Sequence, residues 1–74
     1  MAALPAISGQ EAVKALGRAD WNLARQRGSH MILVKPGHIA TLSVPDHREL
    51  AKGTLRSLIR SSGLSVEEFL DLLD

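Results

Sequence analysis

Two turn signals, Arg27-Gly28-Ser29-His30 and Lys35-Pro36-Gly37-His38, bracket the apolar run Met31 to Val34 and shape it as the middle strand of a small antiparallel sheet. Gly28 supplies the backbone freedom a hairpin turn needs, and Ser29 can hydrogen-bond back onto the turn. Pro36-Gly37 presets the centre of a type II turn. Before the first turn, residues 21–26 alternate, Trp21 and Leu23 against Asn22 and Gln26, as a half-buried strand does. After the second, residues 39–44 place Ala40, Leu42 and Val44 on one side and Thr41 and Ser43 on the other, until Pro45 ends the ladder. The strand from His30 to Lys35 is aliphatic on both faces, as a central strand is.

Helix signals flank this block. Ser8-Gly9-Gln10-Glu11 is a capping box that opens a helix at Gly9. Ala12, Val13, Leu16 and Ala19 then form its inner face, and Gln10, Glu11, Lys14 and Arg18 its wet one. Gly17 weakens this helix by about 1 kcal/mol relative to Ala, and Asp20, which tolerates a left-handed conformation, ends it. Past the strands, Asp46 to Gly53 reads as a polar connection, and Thr54 caps a second helix that runs to Ser62 and closes on Gly63. Leu55, Leu58 and Ile59 are its buried stripe. A second capping box, Ser65-Val66-Glu67-Glu68, opens a short helix with Val66, Phe69, Leu70 and Leu73 on its apolar side.

The predicted fold class is therefore α+β, an α-β-β-β-α sandwich with a short C-terminal helix and both main helices on one face of the sheet. The other face stays open. It carries either Met31 and Leu33 or Ile32 and Val34, an apolar patch that a protein partner or self-association would cover.

Seventy-four residues make a single domain, 1–74, whose core is marginal without economical packing. The absence of cysteine excludes a disulfide framework and a thiolate metal site, and a cytosolic setting is compatible with it. No aliphatic run approaches the roughly 20 residues of a membrane helix, and Met1 to Ile7 lacks the pattern of a secretory signal. The net charge is only +1, but it is segregated: Glu67, Glu68, Asp71 and Asp74 fall in the last eight residues, leaving residues 1–66 with a surplus of five positive charges. A basic body points to a polyanionic partner and the acidic end to modulation of that binding.

His30 is the first candidate for chemistry, held at a strand end and able to exchange a proton near neutral pH. Lys52, Arg56 and Arg60, four apart, line one ridge of the second helix from its positive end and invite phosphate. No carboxylate cluster, His/Cys spacing or nucleophilic triad suggests a metal, a cofactor or covalent catalysis. From residues alone, a non-catalytic RNA-binding module in which His30 only caps the turn, or a protein-interaction module using the open face, stands beside the catalytic reading.

Five motifs in order, Ser8-Gly9, Arg25-Gln26-Arg27-Gly28-Ser29-His30, Val44-Pro45-x-His47, Gly53-Thr54-Leu55-Arg56, and Gly63-Leu64-Ser65 before Glu67-Glu68-Phe69, resemble the HicA toxins of toxin-antitoxin pairs over nearly the whole chain. The resemblance implies a double-stranded-RNA-binding-like fold and metal-independent cleavage of messenger RNA. It also implies inhibition by a HicB-like antitoxin that covers the site, hence a hetero-oligomer, and no cofactor. His30 matches the family's catalytic histidine, with Gly28 positioning its turn; His47 matches the histidine after the proline, placed near the site. Arg27, Ser29, His47, Lys52, Arg56 and Arg60 are the candidate RNA contacts, and Arg27, Lys52 and Arg56 could also meet the charge of the transition state. The chain departs from the family pattern in having Asp20 where glycine is usual, Gly17 where a helix former is common, and the wholly apolar Met31-Ile32-Leu33 after the histidine.

Overall fold

The order of elements is helix, three antiparallel strands and two helices: α1 (Gly9–Gly17), β1 (Asn22–Arg27), β2 (His30–Val34), β3 (Leu42–Pro45), α2 (Lys52–Ser62) and α3 (Val66–Leu73). This is the expected α+β arrangement. The structure, a computed structural model, describes residues 3–73, so Met1 and Ala2 of the lead-in and Asp74 of the acidic tail lie outside it.

Both capping boxes form. The Glu11 N–H donates to Ser8 Oγ at 3.0 Å and the Ser8 N–H to Glu11 Oε1 at 2.9 Å; Ser65 and Glu68 repeat the exchange at 3.0 and 2.8 Å. Beyond α1 the chain makes a Schellman turn, with Trp21 N–H donating to Leu16 O and Asp20 N–H to Gly17 O. Asp20 is left-handed at φ 72°, and the turn drops Trp21 into the core beside Leu16, both fully buried. Trp21 Nε1 finds no hydrogen-bond partner there, and its ring lies 4.9 Å from that of His38. At the far end of α1 the Arg18 guanidinium donates to Leu72 O, tying α1 to α3.

The sheet runs β1-β2-β3 with β2 in the middle. Met31, Leu33, Leu42 and Val44 point inward under the helices, joined in the core by Ala12, Ala15, Leu16, Leu55, Leu58, Ile59 and Phe69. That decides the face of β2: Met31 and Leu33 are core, while His30, Ile32 and Val34 take the open side.

Three expectations need correction. β1 is exposed along its whole length rather than half buried, and Trp21 precedes it. A bulge between Leu23 and Arg25 sets Leu23 opposite Leu33 and Gln26 opposite Met31, so Leu23 and Gln26 share the helix side while Asn22 turns to the other; simple alternation cannot anticipate an extra residue. Leu23, on an outer strand at the margin of the helix layer, stays 54% exposed.

β3 begins at Leu42, not at Ile39, and ends on Pro45 instead of before it. The turn at residues 35–38 does close, with His38 N–H on Lys35 O at 3.0 Å and Gly37 at φ 79°, but a type II turn splays the strands it joins. Residues 39–41 therefore leave the ladder, with Ile39 fully exposed. Pro45 stays in because its nitrogen points away from β2: Asp46 N–H donates to Ser29 O at 2.7 Å, which makes the His30–Pro45 pair a non-hydrogen-bonded one that requires no N–H from proline.

α2 starts at Lys52 with Ala51 at its cap and no capping side chain, so Thr54 lies inside the first turn. Leu50 sets this start. It is 2% exposed and its N–H donates to Ile7 O at 2.8 Å, and the pinned chain enters the helix directly afterwards. Gly63 closes α2 in the left-handed region, as expected.

Candidate active site

Gly28, at φ 60°, and Ser29 form a two-residue hairpin whose closing pair is Arg27 and His30. Positive φ at the first turn position, with glycine there, is the requirement of a type II′ turn, whose twist suits the flanking strands. The side-chain brace comes from Gln26, whose Nε2 donates to Gly28 O at 3.2 Å, and the backbone brace from Asp46 N–H on Ser29 O. His30 is consequently the first residue of β2, exposed on the open face, with Arg27 opposite it on β1 and Pro45 opposite it on β3.

Pro45 is itself anchored. Its carbonyl lies so close to Gly9 that a methyl group on Gly9 would stand 2.0 Å from the oxygen, and Gly9 N–H donates to His47 O at 2.9 Å. The start of α1 thus clamps the end of β3 and the residues after it, next to His30. His47 lines a shallow depression of about 210 Å³ with Ser8, Gln10, Asp46 and Arg48; Gln10 Nε2 and Asp46 Oδ1 are 3.3 Å apart across it.

Lys52, Arg56 and Arg60 are exposed along α2, in the layer on the opposite side of the sheet from the face that carries His30. Arg56 and Arg60 border a hollow of about 310 Å³ with Ile59, Leu64, Ser65 and Val66. The fold brings Arg27, Ser29 and His30 together at the hairpin, where Asp46 N–H bonds to Ser29 O one residue before His47, while the α2 cations stand in the helix layer. A further cation, outside the candidate contacts, joins the group: Arg25 stands on the open face opposite Ile32. Its signal was the two-residue spacing from Arg27, which puts both on one side of a strand.

A histidine exposed beside an arginine can exchange protons with a bound molecule while the guanidinium holds an anionic group. Among the described residues no group of three His, Cys, Asp or Glu side chains is placed to hold a metal ion, and no helix is long and apolar enough to cross a membrane.

None of the curated proteins matches the chain. Residues 9–64 match the family described as HicA toxin of bacterial toxin-antitoxin. The match begins at the glycine that touches Pro45, spans the hairpin and His30, and runs through α2 to the residue after its closing glycine. With three quarters of its length matched, and the helix–sheet–helix arrangement in place, this chain belongs to the HicA toxin family.

Proposed function

We propose that the chain is the toxin of a type II toxin-antitoxin system, a metal-independent endoribonuclease that cleaves messenger RNA with His30 as its catalytic residue. The observation that carries this reading is the exposed His30 at the end of a braced hairpin, with Arg27 directly opposite, inside a HicA-family chain. RNA brings its own nucleophile. Neutral His30 takes the proton of a ribose 2′-OH as that oxygen attacks the adjacent phosphorus, the bond from phosphorus to the 5′-oxygen breaks, and the products are a 2′,3′-cyclic phosphate and a free 5′-hydroxyl. The departing oxygen receives a proton from His47 or from water. Arg27 neutralises charge that builds on the phosphorane, and Lys52, Arg56 and Arg60 offer a separate basic strip to more distant parts of the RNA.

A HicB-like antitoxin completes the reading. The open face, with exposed Val34 and half-buried Ile32 beside His30, is a surface that an acidic protein covers by burying the apolar residues and pairing the arginines.

The deciding experiment is cleavage of an RNA transcript by the wild-type chain and by His30→Ala, each with and without EDTA. Wild type is expected to produce cyclic phosphate ends equally in both conditions, and His30→Ala to produce none while keeping its circular dichroism spectrum. Cleavage by the variant at the wild-type rate would remove His30 from the mechanism, and loss of wild-type activity in EDTA would remove its metal independence.

A further inference from the structure

Arg27, Arg25 and Asn22 stand opposite His30, Ile32 and Val34 on the open face, and all three are exposed. Arg25 and Arg27 share this face by ordinary alternation, and the bulge completes the row: it turns Leu23 to the helix side, opposite Leu33, sets Asn22 opposite Val34, and leaves the face polar along β1. Ser43 and Pro45 complete the face on β3, so no strand residue on it is acidic. Arg25 and Arg27 are two residues apart on one strand, a rise of about 6.6 Å. Two guanidiniums in line, with no carboxylate among the strand residues of the face, match a chain of phosphates better than a point anion, because each planar fork grips two oxygens of one phosphate. The cations of α2 belong to the helix layer, on the other side of the sheet from this face.

We propose that single-stranded RNA crosses the open face along β1, and that Arg25 binds the phosphate neighbouring the one cleaved at His30. The proposal rests on the ribonuclease reading. Ile32 and Val34, beside the row, offer the apolar floor on which riboses and bases lie, and Asn22 reaches the strand one step beyond Arg25. The bulge then has a functional consequence, since it keeps an exposed leucine out of the phosphate track.

The test measures binding apart from chemistry, using an unstructured 2′-O-methyl RNA that lacks the nucleophile. Its affinity is recorded against salt concentration for wild type, Arg25→Gln, Arg25→Lys and Lys14→Gln. Lys14→Gln removes the same charge from α1 on the opposite layer. Arg25→Gln is expected to bind about tenfold more weakly at low salt, with a salt slope lower by about one unit; Arg25→Lys keeps the slope, and Lys14→Gln behaves as wild type. With cleavable RNA, Arg25→Gln raises KM and leaves kcat nearly unchanged, because a contact to a neighbouring phosphate is made before and during the reaction alike. A slope for Arg25→Gln equal to that of wild type overturns the track and assigns the arginine to a protein contact. Because the probe cannot be cleaved, that result is separate from any failure of His30 as catalyst.

Discussion

Gly9 does at the scale of one residue what no helix signal requires. A capping box needs only Ser8 and Glu11, and the two residues between could be almost anything, yet a methyl group at Gly9 would stand 2.0 Å from the Pro45 carbonyl oxygen. The neighbour is backbone, held in place by the β2–β3 ladder, so it cannot swing aside. Gly9→Ala is expected to destabilise the chain by about 3 kcal/mol, the upper part of the usual range for overpacking, as read from the midpoint of urea unfolding. A shift of under a third of that would show that α1 can slide along β3 without cost. Asp20 is the contrasting case. Its positive φ was readable, because asparagine and aspartate are the side chains that enter the left-handed region where glycine is missing.

Among the elements, the helices were more legible than the strands. Their ends are set by local hydrogen bonds, and Ser8, Ser65 and Gly63 all sit where those bonds form. Ser65→Ala removes the cap of α3 and is expected to cost about 1 kcal/mol, with RNA cleavage per folded molecule unchanged because α3 lies apart from His30. A fall in kcat larger than the loss of folded protein would mean that α3 supports the site. α2 is the exception, starting at Lys52 because Leu50 is buried and bonded to Ile7, a tertiary event that outranks the capping residue Thr54. Strand limits depend on partners that are remote in sequence, which is why Pro36-Gly37 signals its turn locally while the splaying of residues 39–41 shows only in the assembled sheet.

On the scale of the whole molecule, the sandwich is closed on one side only. The helices bury Met31, Leu33, Leu42 and Val44, and the arginines, His30 and Val34 remain on the uncovered face. A chain of 74 residues has little stability to spare, so on the proposed reading a partner that covers this face would both inhibit the chain and stabilise it. Co-expression with a HicB-like antitoxin is expected to protect His30 from histidine-selective modification, with His38, also exposed, as the internal reference. Equal reactivity of His30 in the free and bound chain would show that inhibition does not work by covering the site.

The fold class, the meander, both capping boxes and the place of His30 after its turn are set by short-range chemistry, in which a few neighbouring residues determine a local conformation that tertiary packing then accepts. The company His30 keeps is a different matter. Which face of β2 became core, the bulge that puts Asn22 rather than Leu23 on the face with Arg25 and Arg27, and the contact of Gly9 with Pro45 follow from pairing between strands and from the packing of α1 against β3. A one-residue change of register exchanges the two faces of a strand while leaving its local sequence untouched, so only the assembled sheet could decide which side chains share the face with the histidine.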